Sequence, residues 1–227
     1  MKIVGISDMH GIYKGFTIPK ADILCICGDI VPLEYQRYIK LSDDWFINEF
    51  IPWCCSQPVN NVYLVGGNHD WFLMNRDYVI NQYLIGTKIT YLNNQSAEYT
   101  DDIGKVYTIF GSPDCHIFGS WAFMYEPKTE LKHFREIPKN CDILLTHDPI
   151  YGVCDVPRES DWNNTEHCGN KELRQVITEK DLKGISLCGH IHTGDKGAIK
   201  YNNLTCYNVS LLNEQYKLAF NPTIINL

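Results

Sequence analysis

The sequence predicts an α/β fold, and three features of its 227 residues lead to this prediction. Short runs rich in Ile, Val and Leu recur along the chain, and they are continuously apolar instead of alternating with polar residues. Strands that are buried on both faces beneath helices have this pattern. Segments with helical spacing of apolar residues separate some of the runs, and polar residues follow each run at once. We expect a single α/β domain that spans residues 1–227.

Five apolar runs are predicted to be buried strands: Lys2–Ser7, Ala21–Cys27, Asn61–Val65, Asp142–Leu145 and Gly184–Cys188. Helices are predicted within 34–55, where large apolar residues recur at helical spacing, and at 171–182. After these helices the pattern predicts only further strands, at 197–201 and 204–210. Gly and Pro residues in the stretch 111–127 indicate a long loop.

Charge and composition exclude several classes of function. The formal net charge is −7 and no run of Lys and Arg occurs, which disfavours binding to long nucleic acid. No apolar run is long enough to cross a bilayer, so no membrane association is expected. The first residues lack the pattern of a signal peptide, and several of the ten cysteines lie in strand-like runs. We interpret these cysteines as reduced thiols of a cytoplasmic protein.

Residues that can bind metal ions follow every predicted buried strand. Ligands of open α/β sheets gather beyond the carboxyl ends of the strands, so we expect these side chains to converge. The candidates all offer oxygen or imidazole nitrogen: Asp8, His10, Asp29, Asn68, His147, His190 and His192. Such a mixed set suits Mn²⁺, Fe²⁺, Ni²⁺ and Zn²⁺. The alternative is five unrelated polar turns, because Gly and Asn favour turns and Asp often caps a helix.

These fragments and their order along the chain resemble the motifs of a known protein family. Asp8-x-His10, Gly28-Asp29, Gly67-Asn68-His69-Asp70, Thr146-His147 and Gly189-His190-x-His192 are together similar to the motifs of the calcineurin-like metallophosphoesterase superfamily. The resemblance implies a four-layer α/β/β/α sandwich of two mixed sheets flanked by helices. It also implies two divalent ions, Mn²⁺ first, with Fe, Ni, Zn or Mg as alternatives.

The same resemblance assigns the ligands to the two ions. One ion would take Asp8, His10 and His192, and the other Asn68, His147 and His190. Asp29 would bridge them, and no ligand expected from the superfamily is missing.

Two further features indicate a branch of the superfamily. The protein phosphatases continue the second motif with an Asp-Arg pair, whereas this chain has Pro32-Leu33 there. The stretches 120–123 and 208–210 resemble the small metallophosphoesterase-domain branch, which is similar to brain protein 239. That branch implies phosphodiesterase activity and nucleotide binding.

The implied reaction is hydrolysis of a phosphate ester by a hydroxide that the two ions share. His69 follows a ligand directly, and we assign it as a general acid or as a donor to the charge of the transition state. Asp70 is expected to orient the His69 imidazole, or alternatively to cap a helix that begins at Trp71.

The expected partner is a small phosphate ester, such as a nucleotide, as the substrate. This protein would hydrolyse it as a phosphodiesterase or a phosphatase. The candidates for substrate contact are aromatic residues and one arginine: Tyr35, Trp71, Phe72, Trp121, Arg158 and Trp162. Three histidines outside the motifs, His116, His133 and His167, are predicted to lie in loops or on the surface. Two alternative functions are a nuclease for short nucleic acid and a non-catalytic metal-binding scaffold of the same fold.

Overall fold

A computed structural model describes residues 1–157 and 166–227, which form two mixed sheets with helices against them. The strands are β1 Lys2–Ile6, β2 Ala21–Cys27, β3 Val59–Val65, β4 Ile89–Tyr91, β5 Gln95–Thr100, β6 Val106–Ser112, β7 Ile143–Thr146, β8 Lys183–Cys188, β9 Ile199–Tyr201, β10 Asn203–Asn208 and β11 Thr223–Asn226. The helices are α1 Ile39–Trp45, α2 Ile51–Ser56, α3 Trp71–Tyr83, α4 Pro127–Phe134 and α5 Lys171–Lys180, and a π-helical segment, Phe46–Phe50, joins α1 to α2.

Each sheet is mainly parallel. The first sheet has the strand order β11-β1-β2-β3-β4, and only β11 runs antiparallel to its neighbour. The second has the order β5-β6-β7-β8-β10-β9, with β5 and β9 antiparallel at its two edges. Parallel strands need crossover connections, and those connections place helices on the outer faces of both sheets.

Three apolar layers explain why the strand sequences do not alternate. Successive side chains of a strand point to opposite faces. In β1, Ile3 packs between the two sheets, while its neighbour Val4 packs beneath the helices of the first sheet. In β7, Leu145 faces the inter-sheet layer and Leu144 packs beneath α4 and α5. Both faces of both strands are therefore buried, and the predicted four-layer α/β/β/α sandwich is confirmed.

The predicted helix at 34–55 is correct in its centre and wrong at its start. Helical structure begins at Ile39, because residues 34–38 form two successive turns in which Tyr35 N donates to Pro32 O and Tyr38 N donates to Tyr35 O. The second predicted helix ends two residues early, at Lys180, since Asp181 adopts a left-handed conformation with φ +50°. That conformation satisfies the last carbonyl groups of a helix and stops it.

None of the helices in the described residues is long and apolar enough to span a bilayer. The ten cysteines all lie in the described part of the chain, and each is free.

Candidate metal centre

The seven candidate ligands lie at the carboxyl ends of five parallel strands. Asp8, Asp29 and Asn68 follow β1, β2 and β3 of the first sheet, and His147 and His190 follow β7 and β8 of the second. The centre therefore spans the same edge of both sheets, as expected for ligands of an open α/β fold.

Sharp turns after these strands direct the side chains inward. Asp8, His10, Asp29 and His190 all have positive φ, between +41° and +67°. Non-glycine residues seldom adopt this conformation, and such residues cluster at functional sites. Gly67 is required for another reason: a Cβ at this position would collide with the Asp29 carboxylate. Without that side chain, the backbone comes close enough for His69 N to donate to Asp29 Oδ1 at 2.8 Å.

Asp29 lies at the middle of the cluster. Its Oδ2 is 3.6 Å from His10 Nε2 and 3.5 Å from His147 Nε2. On one side, the ligand atoms of Asp8, His10 and His192 all lie within 4.8 Å of one another. The family resemblance implies that Asp29 bridges two ions, and a bridging ligand must lie between the two groups in this way.

Three side chains converge on the other side. Both His147 Nε2 and His190 Nδ1 lie 2.9 Å from Asn68 Oδ1. The structure thus brings together all seven residues that the sequence predicts, in two groups that share Asp29.

The donors of this cluster fit divalent cations. Both ring nitrogens of His10 are buried without a hydrogen-bond partner among the described residues, which is costly for a polar group unless something else binds it. Burial lowers the pKa of His10 to about 4 although Asp29 opposes this shift. The neutral ring keeps a lone pair for a cation. Carboxylate, amide oxygen and imidazole together are a donor set for Mn²⁺, Fe²⁺, Ni²⁺ or Zn²⁺.

Other histidines of the cluster are held protonated by the carboxylates. Burial opposes the charge, but Asp29 raises the pKa of His147 to about 10 and Asp8 raises that of His192 to about 9. The same pairs keep the pKa of Asp8 and of Asp29 well below the usual range, against the effect of burial. A cation that binds here must replace protons on the two imidazoles.

Backbone carbonyl groups fix the orientation of two candidate ligands. His147 Nδ1 donates to Cys27 O at 2.7 Å, and His192 Nδ1 donates to Asn213 O at 2.9 Å. In both rings this leaves Nε2 directed toward the carboxylates. A hydrogen bond at the second ring nitrogen is typical of histidines that bind metals.

Asp148 lies beside a third imidazole, that of His190, and was not predicted. Its Oδ1 is buried, 3.7 Å from His190 Nε2, and has no hydrogen-bond partner among the described residues. Its Oδ2 accepts hydrogen bonds from the backbone and ring nitrogens of His116, both at 2.8 Å. His116 does lie in a loop, as expected, but its ring is half-buried at the edge of the site. His133 and His167 instead pair with Asp114 and Asp155.

His69 lies beside the cluster and is held by other residues than predicted. Its Nε2 is 3.9 Å from Asp29 Oδ2, its ring packs against Trp121 with centroids 4.5 Å apart, and its Nδ1 is hydrogen-bonded to Gln36 Oε1. The expectation that Asp70 orients this ring is wrong, since Gln36 occupies that place.

Asp70 connects two of the ligand-bearing turns. Its carboxylate accepts hydrogen bonds from the backbone nitrogens of Ile30, Val31 and Gly67 at 2.9 to 3.3 Å. Helix α3 does begin at Trp71 with Asp70 in the N-cap position, as the alternative expects, but the Asp70 side chain makes no cap hydrogen bond, so the expected capping role is wrong. Burial raises the pKa of Asp70 to about 7.

A cavity of about 240 Å³ opens above the cluster. Its lining includes Asp29, Asn68, His69, His190 and His192 together with Phe118, Trp121, Glu214 and Tyr216. Among the expected substrate contacts, Trp121 is confirmed as a lining residue, and the prediction for Phe72 is wrong because its side chain is fully buried in the core. Tyr35 lines a neighbouring groove, Trp71 stacks with Arg37, and Arg158 and Trp162 lie outside the described residues.

Comparison with known proteins decides the family. The model of the calcineurin-like phosphoesterase family matches residues 1–194. The chain belongs to this family. Membership implies metal-dependent hydrolysis of phosphate esters, and the Asp and His clusters could bind the divalent ions that the family implies.

Relatives of this calcineurin-like phosphoesterase differ in length and in name. Probable rhamnogalacturonate lyase C of Emericella nidulans is 30% identical over 200 residues, and these make up 86% of this chain but 17% of the lyase. The chain thus spans less than a fifth of the length of that relative. A UPF0046 protein of Caenorhabditis elegans is 24% identical, with 99% of this chain and 74% of the relative covered.

Solved structures share the fold at low identity. Phosphopantetheinyl hydrolase (PptH) from Mycobacterium tuberculosis superposes with a TM-score of 0.56 at 16% identity, covering 95% of this chain and 90% of that chain. Sulfate thiohydrolase SoxB of Termus thermophilus, in complex with glycerol, has a TM-score of 0.50 at 10% identity, covering 92% of this chain and 51% of that chain.

Proposed function

We propose that this chain is a phosphodiesterase or phosphatase that hydrolyses small nucleotide-type phosphate esters with two divalent metal ions. The observation that carries the proposal is the convergence of seven donors from five separate turns on a buried centre. In that centre the buried His10 ring has no hydrogen-bond partner among the described residues. A buried polar ring without a hydrogen-bond partner is costly unless another group, such as a bound cation, uses its lone pair.

The proposed ligand sets follow the two groups of side chains. Asp8, His10 and His192 would hold one ion, Asn68, His147 and His190 the other, and Asp29 both, with Mn²⁺ as the first candidate. Ions held there would act as Lewis acids that lower the pKa of water to about 7 and offset charge on the phosphoryl oxygens.

His69 would supply a proton at the edge of this centre. Its Nδ1 donates to Gln36 Oε1, so Nε2 is the atom that faces the centre, and in the protonated ring Nε2 would give its proton to the departing ester oxygen. Packing against Trp121 limits rotation of the ring and keeps Nε2 directed at the centre, and general acid catalysis needs an imidazole held in this way.

The charge of the cavity supports a diester as the first substrate to test. Among the described residues that line it there is no Lys or Arg, and Glu214 adds a carboxylate. A diester carries one negative charge on its phosphate group, and a monoester carries up to two. The Glu214 carboxylate therefore repels the monoester more strongly.

The test is hydrolysis of bis-p-nitrophenyl phosphate and of p-nitrophenyl phosphate with added Mn²⁺, with EDTA, and with the Asp29→Asn variant. We expect turnover that needs Mn²⁺, that favours the diester, and that Asp29→Asn abolishes together with metal binding. Turnover of the monoester alone would make the protein a phosphomonoesterase. If neither ester is hydrolysed although two ions are bound, the result would favour the alternative of a non-catalytic metal-binding scaffold.

A further inference from the structure

Three aromatic rings line the mouth of the metal cavity: Phe118, Trp121 and Tyr216. The ring of Trp121 already contacts other side chains, because it packs on His69 and lies 4.5 Å from the Arg37 guanidinium. The other two remain accessible, with Phe118 49% and Tyr216 37% exposed. Exposed apolar rings at the mouth of a cavity indicate contact with a ligand.

Tyr216 lies directly over one group of candidate ligands. Its ring centroid is 5.0 Å from that of His10, 5.2 Å from that of His192 and 6.4 Å from that of His69. Phe118 accompanies the other group, with its ring 5.1 Å from His190. One accessible ring therefore stands beside each proposed ion, so a phosphate ester bound between the groups would bring its substituents against these rings.

The turn that presents Tyr216 is tightly fixed. Tyr216 has φ +55°, a conformation that is rare for a bulky side chain and costs free energy. Asn213 holds the turn, since its Oδ1 accepts hydrogen bonds from Gln215 N and Lys217 N at 3.1 and 3.0 Å. The carbonyl of the same Asn213 orients His192. Asn213 therefore fixes the position of the Tyr216 ring relative to His192, a candidate metal ligand.

This turn lies outside residues 1–194, which the family model matches. A residue outside the motifs that build a shared centre can adapt a common chemistry to one class of substrate. Glu214, in the same turn, accepts a hydrogen bond from Thr193 Oγ at 2.8 Å and brings a negative charge to the mouth. A second phosphate group would be repelled there, whereas an uncharged ring would not.

Building on the proposed phosphoesterase function, we propose that Tyr216 is a specificity-determining residue that selects phosphodiesters whose ester substituent carries an aromatic ring. The ring of the substrate would pack against the accessible part of Tyr216, while its single negative charge lies at the metal centre. The selected class includes aryl esters and esters that carry a nucleobase.

The test compares the binding of two diesters that have the same charge and differ in their rings, diphenyl phosphate and dimethyl phosphate. Calorimetry with the Mn²⁺-loaded protein gives both dissociation constants for wild type, Tyr216→Ala, Tyr216→Leu and Tyr216→Phe. Tyr78→Ala is the matched control, because Tyr78 is 72% exposed on α3 and does not line the cavity. Metal content and melting temperature of each variant verify that the site is intact.

We expect Tyr216→Ala and Tyr216→Leu to bind diphenyl phosphate about 5- to 100-fold more weakly, as for other aromatic stacking contacts. Binding of dimethyl phosphate should change less than about twofold, and Tyr216→Phe and Tyr78→Ala should resemble wild type in both. An equal loss for both diesters, or no loss for either, would overturn the proposal.

These binding constants do not depend on turnover, so the two proposals can fail separately. A wild-type protein that prefers diphenyl phosphate in a Tyr216-dependent way but hydrolyses no ester would refute the phosphoesterase function alone. A wild-type protein that hydrolyses esters but binds diphenyl phosphate no more tightly than dimethyl phosphate would refute the role of Tyr216 alone.

Discussion

Two adjacent residues of one motif, His69 and Asp70, do different work because their side chains leave the backbone in different directions. The His69 ring faces the metal centre and packs on Trp121, while the Asp70 carboxylate turns inward to the backbone nitrogens of Ile30 and Val31. Adjacency in the sequence suggested that the two side chains touch. The actual partner of His69, Gln36, is 33 residues away in the chain and gave no signal of its own.

At the residue scale, His69→Ala should separate catalysis from metal binding. His69 belongs to neither proposed ligand set, so the variant should still bind two ions per chain, measured by elemental analysis. Loss of the proton donor should lower kcat for bis-p-nitrophenyl phosphate by about 10²- to 10⁴-fold.

His133→Ala is the matched control, since His133 pairs with Asp114 and does not line the cavity. It should keep both metal content and turnover. If His69→Ala kept wild-type turnover, the assignment of a catalytic role to His69 would be wrong.

At the scale of elements, α5 depends on the residue that precedes it. Asn170 Oδ1 accepts a hydrogen bond from Leu173 N at 2.9 Å, which caps the helix. Its Nδ2 donates to Glu130 Oε1 of α4 at 2.8 Å. One buried amide thus fixes the start of α5 and joins it to the neighbouring helix on the outer face of the second sheet.

Asn170→Ala should therefore destabilise the fold by about 2–4 kcal/mol, from the lost cap and the unpaired Glu130 carboxyl. Urea denaturation measures this change in the free energy of unfolding. Asn48→Ala is the control, since Asn48 is exposed within a helical segment, and its loss should cost less than about 0.5 kcal/mol. Equal stability of the two variants would contradict the role of Asn170.

Elements with strong local patterns were predicted, and those without were missed. The five buried strands were identified because both of their faces are apolar, as in β2. Strand β5 was missed because it lies at a sheet edge and has one buried residue among six. Helix α4 was missed because it is short and lies directly after the long loop that the Gly and Pro residues do predict.

At the scale of the whole molecule, opposite charges in the centre connect the two sheets, because carboxylates that follow strands of the first sheet face imidazoles that follow strands of the second. Protons on His147 and His192 balance Asp29 and Asp8, and the pKa values of these imidazoles, about 10 and 9, lie above neutral pH. Metal binding needs both rings without the proton on Nε2, so below these values each ion competes with protons.

Mn²⁺ affinity should therefore rise with pH between 6 and 8. Displacement of one proton gives a tenfold gain for each pH unit, and displacement of two gives up to about a hundredfold gain. Titration of the apo-protein with Mn²⁺ at three pH values measures the slope, and calorimetry in buffers of different ionisation enthalpy counts the released protons. A slope of zero would show that the imidazoles are already neutral.

The sequence by itself determined the fold class and the identity of the ligand-bearing turns. Buried parallel strands require apolar residues on both faces, and a metal centre requires donor residues where strands end, so both requirements leave local patterns. This is why Asp8, Asp29 and His190 could be named from the chain alone.

Only the tertiary structure decided what surrounds those ligands. Asp148, Gln36 and Tyr216 act by their position in space, and each comes from a loop whose sequence follows no periodic pattern. Two residues that share a hydrogen bond or a ring contact can lie at any separation along the chain, so a single sequence cannot reveal the contact. The choice of substrate, in the proposal made for Tyr216, depends on this part of the molecule.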